Sequence, residues 1–260
     1  MIDEVLVKQG RNVALEHHHE REGTVHWNPD VWSPPRPWVH TNDWPHAARD
    51  YRGLPGPTAG RRGGPVCFAA KAYGPMPDGV REVEMSVTYQ FYARSPIILM
   101  SSAMRIKSRI PAKCVRNGEI VFNRKVMDHV AYKDRKGHVH SADVNDLWPH
   151  PLPHEGWHIS PDAPWLCLYS ARRRVAFGQF NLTRMEYRWD GGLPRVEDSY
   201  YYVAVGPWIY IARPLIYPWG SHNPSRTSIV PENSEYFEKL AWLPFAMKDG
   251  TPKSLGIMDD

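Results

Sequence analysis

The stretch GPWIYIARPLIYPWGSHNPSR, residues 206–226, has the residue types that recognise a sugar acid. Alternation along a strand would place Trp208 and Tyr210 on one face and Arg213 on the other. An aromatic ring stacks on the apolar face of a sugar, and an arginine fork pairs with a carboxylate. The candidate residues of this stretch are Trp208, Tyr210, Arg213, Tyr217, Trp219, His222, Asn223 and Arg226.

A second candidate stretch, WNPDVWSPPRPWVHTNDWPH, covers residues 27–46. Prolines on both sides of Arg36 stiffen its backbone, which preorganises the guanidinium, and Trp38 and His40 follow closely. No helix or regular strand suits this mixture of tryptophan and proline. We therefore predict a loop that forms one side of a cleft.

Together the two stretches suit β-elimination on a uronate-type sugar. This reaction needs a positive clamp on the carboxylate, a base for the α-proton and an acid for the leaving group. The predicted clamp is Arg36 or Arg213, the base His40 or His222, and the acid Tyr210 or Tyr217. The residues predicted to bind substrate are Arg36, Trp38, Trp208, Trp219, Asn223 and Arg226. The leading interpretation is a carbon–oxygen lyase that acts on an acidic sugar or oligosaccharide without a cofactor.

Histidine clusters support an alternative, a sugar-active enzyme that depends on a divalent metal. In EHHHERE, residues 16–22, His17 and His19 would share one face of a strand, with His26 or His40 nearby. HVH, residues 138–140, has the same spacing and is followed by Asp143. Neither spacing defines a metal motif, so the leading interpretation assigns no metal ligand.

Two further alternatives remain. In a non-catalytic carbohydrate-binding module the tryptophans would form a stacking surface and no base would be needed. Glycoside hydrolysis ranks lower, because it needs two positioned carboxylates and no pair of acids in the candidate loops has a diagnostic spacing.

Period-two alternation dominates the chain and predicts an all-β fold. In residues 82–93, Val83, Met85 and Val87 alternate with acidic and hydroxyl residues, which is the pattern of a strand with one buried face. RNGE places Asn117–Gly118 between two β-rich arms and predicts a tight hairpin turn. Other predicted strands cover residues 96–107, 126–132, 138–144, 164–170, 175–181, 184–189, 199–215 and 234–245.

Length and the absence of a linker predict a single domain over residues 1–260, a large antiparallel sandwich. Residues 28–65 and 145–163 are predicted to be long loops that form a cleft, because both are rich in Pro, Trp and His. The last residues are polar, and we expect them to fray.

Composition excludes several classes of protein. The net charge of +4, from 32 basic and 28 acidic residues, is too balanced for a dedicated nucleic-acid binder. No apolar run is long enough for a membrane span or a signal peptide, which predicts a cytoplasmic protein. Three separated cysteines indicate free thiols. The oligomeric state stays open, and a homo-oligomer is compatible with the sequence.

Residues 80–245 resemble the antiparallel supersandwich of the galactose-mutarotase and polysaccharide-lyase group. The resemblance is carried by the RNGE motif and by the aromatic strands YYVAVGPWIYIARPL and YFEKLAWLPF. It implies a carbohydrate-active β-sandwich.

Overall fold

The structure is a computed structural model, and it describes residues 7–9, 12–15, 23–33, 36–39, 59–75, 82–147, 158–160, 162–188, 201–205, 208–216 and 228–259. These residues form strands and a single short helix, so the predicted all-β class is confirmed. No helix in these ranges is long and apolar enough to cross a lipid bilayer.

The strands are β1 Val7–Gln9, β2 Asn12–Leu15, β3 Gly23–Ser33, β4 Arg36–Val39, β5 Ala59–Gly63, β6 Cys67–Pro75, β7 Val83–Tyr92, β8 Ile98–Ile106, β9 Ile110–Asn123, β10 His129–Lys133, β11 Val139–Asp143, β12 His158–Ile159, β13 Leu166–Ser170, β14 Val175–Arg188, β15 Tyr201–Val205, β16 Trp208–Ile216, β17 Ser228–Val230 and β18 Glu235–Ala246. A 3₁₀ helix, η1, covers Pro252–Met258.

The strands pair in antiparallel fashion in two large sheets. The nine-stranded sheet has the order β11-β10-β13-β14-β18-β8-β7-β6-β5. The seven-stranded sheet has the order β12-β15-β16-β9-β3-β4, with β17 also paired to β9. A separate pair is formed by β1 and β2. The predicted antiparallel sandwich is confirmed.

The inner faces of the two sheets enclose an apolar core. On β7 every second side chain is buried, from Val83 onward, as the alternation predicted. The rings of Phe122 on β9 and Phe177 on β14 lie with centroids 5.2 Å apart and join one sheet to the other. Ile209 and Ile211 on β16 are fully buried in the same cluster. Burying such apolar side chains is the main source of stability for a sandwich of this kind.

The predicted hairpin at Asn117–Gly118 is wrong, because β9 continues unbroken through both residues. The pairing with β16 passes from Ile211↔Ile120 to Arg213↔Asn117, so two residues of β9 lie opposite one residue of β16. Gly118 has a φ of +56°. An extra residue with a glycine in the left-handed region is a β-bulge, which uses the same residue types as a tight turn.

Strands also occupy part of residues 28–65, which the sequence predicted as a loop. Most of β3 and all of β4 and β5 lie in this range, and residues 40–58 are outside the described part. The prolines beside Arg36 fit a strand here because β4 is at an edge of its sheet, where a missing N–H costs little. In residues 145–163, β12 is the described strand.

The C-terminal segment is ordered against the sheet, which corrects the expectation that it frays. Leu255 is fully buried and Met258 is 5% exposed. Both join Trp165 in a second apolar cluster on the outer face of the nine-stranded sheet. The Trp165 Nε1–H donates to Asp259 Oδ1 over 2.9 Å, and Lys133 Nζ lies 2.8 Å from the same oxygen. The packing of these few apolar side chains outweighs the polar composition of the segment.

Candidate functional site

Arg213 is the predicted site residue whose side chain the structure describes. The side chains of Arg36, Trp38, Trp208 and Tyr210 are not described, although their backbones lie on β4 and β16. The remaining predicted site residues lie outside the described ranges: His40, Tyr217, Trp219, His222, Asn223 and Arg226.

The backbone separates the two predicted carboxylate clamps. Arg213 pairs with Asn117, which pairs in turn with Trp27 on β3. Arg36 pairs with Ser33, six residues further along β3. With a rise of about 3.3 Å per residue and about 4.8 Å between strands, the two arginine Cα atoms lie roughly 24 Å apart. Arg36 and Arg213 therefore do not share one carboxylate.

Arg213 lies inside the sandwich next to a tyrosine. Its side chain is 7% exposed and follows the buried Ile209 and Ile211 along β16. The guanidinium donates a hydrogen bond to the hydroxyl of Tyr201 on β15, which is 2% exposed. The sequence predicted Tyr210 or Tyr217 beside this arginine. Among the described residues, the tyrosine at hydrogen-bond distance is Tyr201.

Polar side chains of the opposite sheet face this pair. Gln179 on β14 and Glu238 on β18 are 1% and 2% exposed. Glu238 Oε1 accepts a hydrogen bond from Ser102 Oγ over 3.2 Å, and Gln179 Oε1 accepts one from Trp242 Nε1 over 2.9 Å. The buried Gln179 Nε2 approaches the Tyr201 hydroxyl but has no hydrogen-bond partner of acceptable geometry among the described residues. A buried donor without an acceptor costs about 1–3 kcal/mol, which marks it as a position where a ligand oxygen would be stabilised.

The bulge at Gly118 leaves space at the centre of this group. A Cβ atom on Gly118 would lie 3.5 Å from Tyr201 Cε1, 3.6 Å from Glu238 Oε2 and 3.7 Å from Gln179 Nε2. Side chains from both sheets thus converge on a glycine that carries none of its own. We call Ser102, Gln179, Tyr201, Arg213 and Glu238 the Arg213 cluster.

The environment of Tyr201 keeps its hydroxyl protonated at neutral pH. Burial raises the pKa of Tyr201 to about 12, the positive charge of Arg213 acts in the opposite direction, and the carboxylate of Glu238 raises the pKa further. A protonated tyrosine can serve as a general acid.

Sequence reasoning missed Gln179, Tyr201 and Glu238, although a signal was present for one of them. Glu238 lies between Tyr236 and Leu240 in the alternation of β18, so its position faces the core. A charged residue at a core-facing position marks a functional candidate. Gln179 had no comparable signal, because its burial depends on long-range strand pairing.

The HVH motif forms a polar group around one carboxylate. Asp134 Oδ2 lies 2.9 Å from His140 Nε2 and 3.4 Å from His138 Nδ1. The hydrogen bond from His140 is the main cause that holds the pKa of Asp134 well below its usual range. The ring of His140 also stacks on Tyr132 at 4.7 Å. The acid near the motif is therefore Asp134 rather than the predicted Asp143.

The metal alternative finds no support in the described part of the chain. No group of three or more His, Cys, Asp or Glu residues there could hold a metal ion. Residues 16–22 lie outside the described ranges.

A second candidate site lies on the outer face of the nine-stranded sheet, where a cleft has a volume of about 250 Å³. Its lining includes Tyr73, which is 40% exposed, and the small residues Ser86 and Ala103. Strand pairing places Tyr73, Ser86 and Ala103 side by side in a row across β6, β7 and β8, and the row continues to Phe237 on β18. The next row along the same face is Lys71, Thr88, Ser101 and Lys239. The cleft borders the first row, on the side of Glu84, Arg105 and Glu235. We call the two rows, together with this cleft, the outer trough.

No protein-family model and no curated protein match the chain. Several solved structures are similar to part of the chain. The α-galactosidase from Lactobacillus brevis matches with a TM-score of 0.45 at 10% identity, over 77% of this chain and 27% of that protein. The Slr1438 protein from Synechocystis sp. PCC 6803 matches with a TM-score of 0.36 at 10% identity, over 72% of this chain and 64% of that protein.

The GH36 α-galactosidase AgaB from Geobacillus stearothermophilus matches with a TM-score of 0.42 at 11% identity, over 69% of this chain and 24% of that protein. The matched region is therefore about a quarter of the length of either α-galactosidase. At these identities and TM-scores, the similarity assigns no family to the chain.

Proposed function

We propose that the protein is carbohydrate-active and that it acts as a lyase on an acidic, uronate-type sugar at the Arg213 cluster. The observation that supports this most is the hydrogen bond between Arg213 and Tyr201, which places a positive clamp next to a protonated acid. A lyase of this type needs both groups, because the α-proton of a carboxylate is too weakly acidic to be removed unless the carboxylate charge is neutralised.

In this proposal the guanidinium of Arg213 and the amide nitrogen of Gln179 hold the sugar carboxylate. Glu238 removes the α-proton, and the electron pair of that C–H bond becomes the new carbon–carbon double bond. The bond to the leaving oxygen breaks at the same time, and the Tyr201 hydroxyl protonates that oxygen. His40 and His222, the bases predicted from sequence, compete with Glu238 for the role of base.

Entry of a sugar requires an opening at this part of the sandwich, since each member of the cluster is at most 7% exposed. Closed sites that open for substrate are common in enzymes, and they exclude water during the reaction.

The test is turnover of uronate polysaccharides, followed by the ultraviolet absorbance of the conjugated alkene in the product. Tyr201→Phe keeps the ring and removes the hydroxyl, so we expect turnover to fall by about 10²–10⁴-fold. Tyr169→Phe is the matched control, because Tyr169 is also buried and its hydroxyl bonds to Ser141 outside the cluster. Equal turnover of the two variants, or no unsaturated product from the parent protein on any uronate polymer, would contradict the proposal. Glu238→Gln, His40→Ala and His222→Ala then identify the base.

The exposed aromatic surface of the outer trough supports a second candidate, a non-catalytic carbohydrate-binding module. A module needs no opening of the sandwich. Oligosaccharide binding that leaves the sugar unchanged after long incubation would favour it.

Four points stay predictions from the sequence. They are the absence of a cofactor, the metal-dependent alternative, the cytoplasmic location and a possible homo-oligomer. Elemental analysis of the purified protein tests the metal alternative.

A further inference from the structure

We propose that the outer trough binds an anionic oligosaccharide chain. This site is on the opposite face of the nine-stranded sheet from the Arg213 cluster, and the inference does not depend on the lyase reaction.

The shape of the trough suits an extended chain. Tyr73 and Phe237 form its two sides, and they are separated by Ser86 on β7 and Ala103 on β8. Three strand spacings of about 4.8 Å put these aromatic residues roughly 14 Å apart. The hydroxyls of Ser86, Thr88 and Ser101 lie on the strands between them and can bond to sugar hydroxyls. Small residues between two aromatic sides leave a shallow open space rather than a filled surface.

A lysine accompanies each aromatic side. Lys71 Nζ lies 5.7 Å from the ring centroid of Tyr73, and Lys239 Nζ lies 5.6 Å from that of Phe237. An aromatic ring with an ammonium group beside it offers a stacking surface and a positive charge together. That combination fits a sugar ring that bears a carboxylate or sulfate.

The charge of the trough is positive. The acids at its end are already paired, since Glu84 Oε1 lies 2.6 Å from Lys107 Nζ and Glu235 Oε2 lies 3.5 Å from Arg105 Nη2. Lys71 and Lys239 form no ion pair with described residues, which leaves an excess of two positive charges along the row. This excess favours an anionic ligand.

The paired carboxylates favour a sugar over a nucleic acid. Glu84 and Glu235 can accept hydrogen bonds from sugar hydroxyls, and the backbone of single-stranded DNA has no hydroxyl to donate. Single-stranded nucleic acids also use aromatic and basic side chains, so they are the competing ligand that the test must include.

The experiment is calorimetric titration of the Tyr201→Phe protein, in which the proposed reaction is blocked, with hexagalacturonate, neutral cellohexaose and a short oligothymidylate. We expect hexagalacturonate to bind most tightly and its affinity to fall as salt is raised. Tyr73→Ala and Lys71→Gln should each weaken binding by about five- to tenfold.

Tyr92→Ala is the matched control, since Tyr92 is 37% exposed, close to the 40% of Tyr73, but lies at the far end of β7. Unchanged affinity in the Tyr73 and Lys71 variants overturns the proposal. Equal binding of hexagalacturonate and cellohexaose, or tighter binding of the oligothymidylate, also overturns it. A failed lyase assay leaves these titrations unaffected, so the two proposals can fail separately.

Discussion

The outer face of the nine-stranded sheet has a covered part and an open part, and β18 crosses from one to the other. Near its end, Leu243 and Phe245 are 7% exposed and pack with Leu255 and Met258 of the C-terminal segment. Near its start, Phe237 is partly buried and Lys239 is exposed, and both belong to the outer trough. One strand thus supports both a sealed apolar cluster and an exposed polar surface.

The outward-facing residues of β18 decide which part of this sheet face is covered by the C-terminal segment. These are Glu235, Phe237 and Lys239 in the open part, and Ala241, Leu243 and Phe245 in the covered part. An apolar face stays stable only when something buries it, and here the C-terminal segment does so. The open part has charged side chains that are stable in water, so it needs no covering segment and stays accessible to a ligand.

The largest expected effect is that of truncating Leu255, a buried apolar side chain of the C-terminal segment that covers the sheet. Leu255→Ala deletes a fully buried side chain, so we expect the free energy of unfolding to fall by about 2–5 kcal/mol, measured by urea denaturation. Tyr73→Ala in the open part should change it by no more than about 0.5 kcal/mol. Similar losses from both changes would show that the two parts of the face do not differ as described.

Two glycines lie where the C-terminal segment meets the sheet, one in the segment itself (Gly250) and one on β14 (Gly178), and their neighbours differ in flexibility. Gly250 has a φ of +73°, and a Cβ there would lie 2.3 Å from the Ala171 carbonyl oxygen. A Cβ on Gly178 would clash with the end of the flexible Met258 side chain, at 2.3 Å from Cε, while the Leu243 carbonyl oxygen lies at an ordinary contact distance of 3.6 Å. We expect Gly250→Ala to cost about 2–3 kcal/mol of stability and Gly178→Ala about 1 kcal/mol. The reverse order in thermal or urea unfolding would contradict this account.

The smallest expected effect is that of the Asp259 carboxylate, which bonds the C-terminal segment to Lys133 and Trp165. Bonds from Lys133 and Trp165 lower the pKa of Asp259, so its carboxylate is favoured in the folded chain. Its contribution is complete above the unfolded pKa of about 3.9 and is lost as the pH falls through the folded value. Because the side chain is 37% exposed, we expect a contribution below about 1 kcal/mol. Unfolding of Asp259→Asn should depend less on pH below about 4 than unfolding of the parent, and an identical pH dependence would contradict the assignment.

Local patterns predicted the strands well where one face is buried. The alternation in residues 82–93 and 234–245 matches β7 and β18, and even the ambiguous segment around Trp242 is a strand. The predicted strands at 175–181 and 184–189 join into one strand, β14. The range 199–215 divides into β15 and β16. Such joins and breaks depend on partner strands that are distant in sequence.

The candidate site was harder to predict because its members meet only through long-range pairing. Tyr201, Gln179 and Glu238 come from three strands of two sheets, and no spacing links them. Arg213 was found because an arginine at the end of an aromatic strand is conspicuous in the sequence alone. Asn117–Gly118 misled the prediction, because positive φ angles serve a bulge as well as a turn.

The position of β5 affects how copies of the protein meet. Among the described residues, strand β5, AGRRG, forms one edge of the nine-stranded sheet, and backbone groups at such an edge can pair with a second molecule. Two such edges in antiparallel contact would bring Arg61 and Arg62 of both copies together, and like charges on facing strands are unfavourable. The short arginine run is therefore expected to disfavour pairing between two copies at this edge.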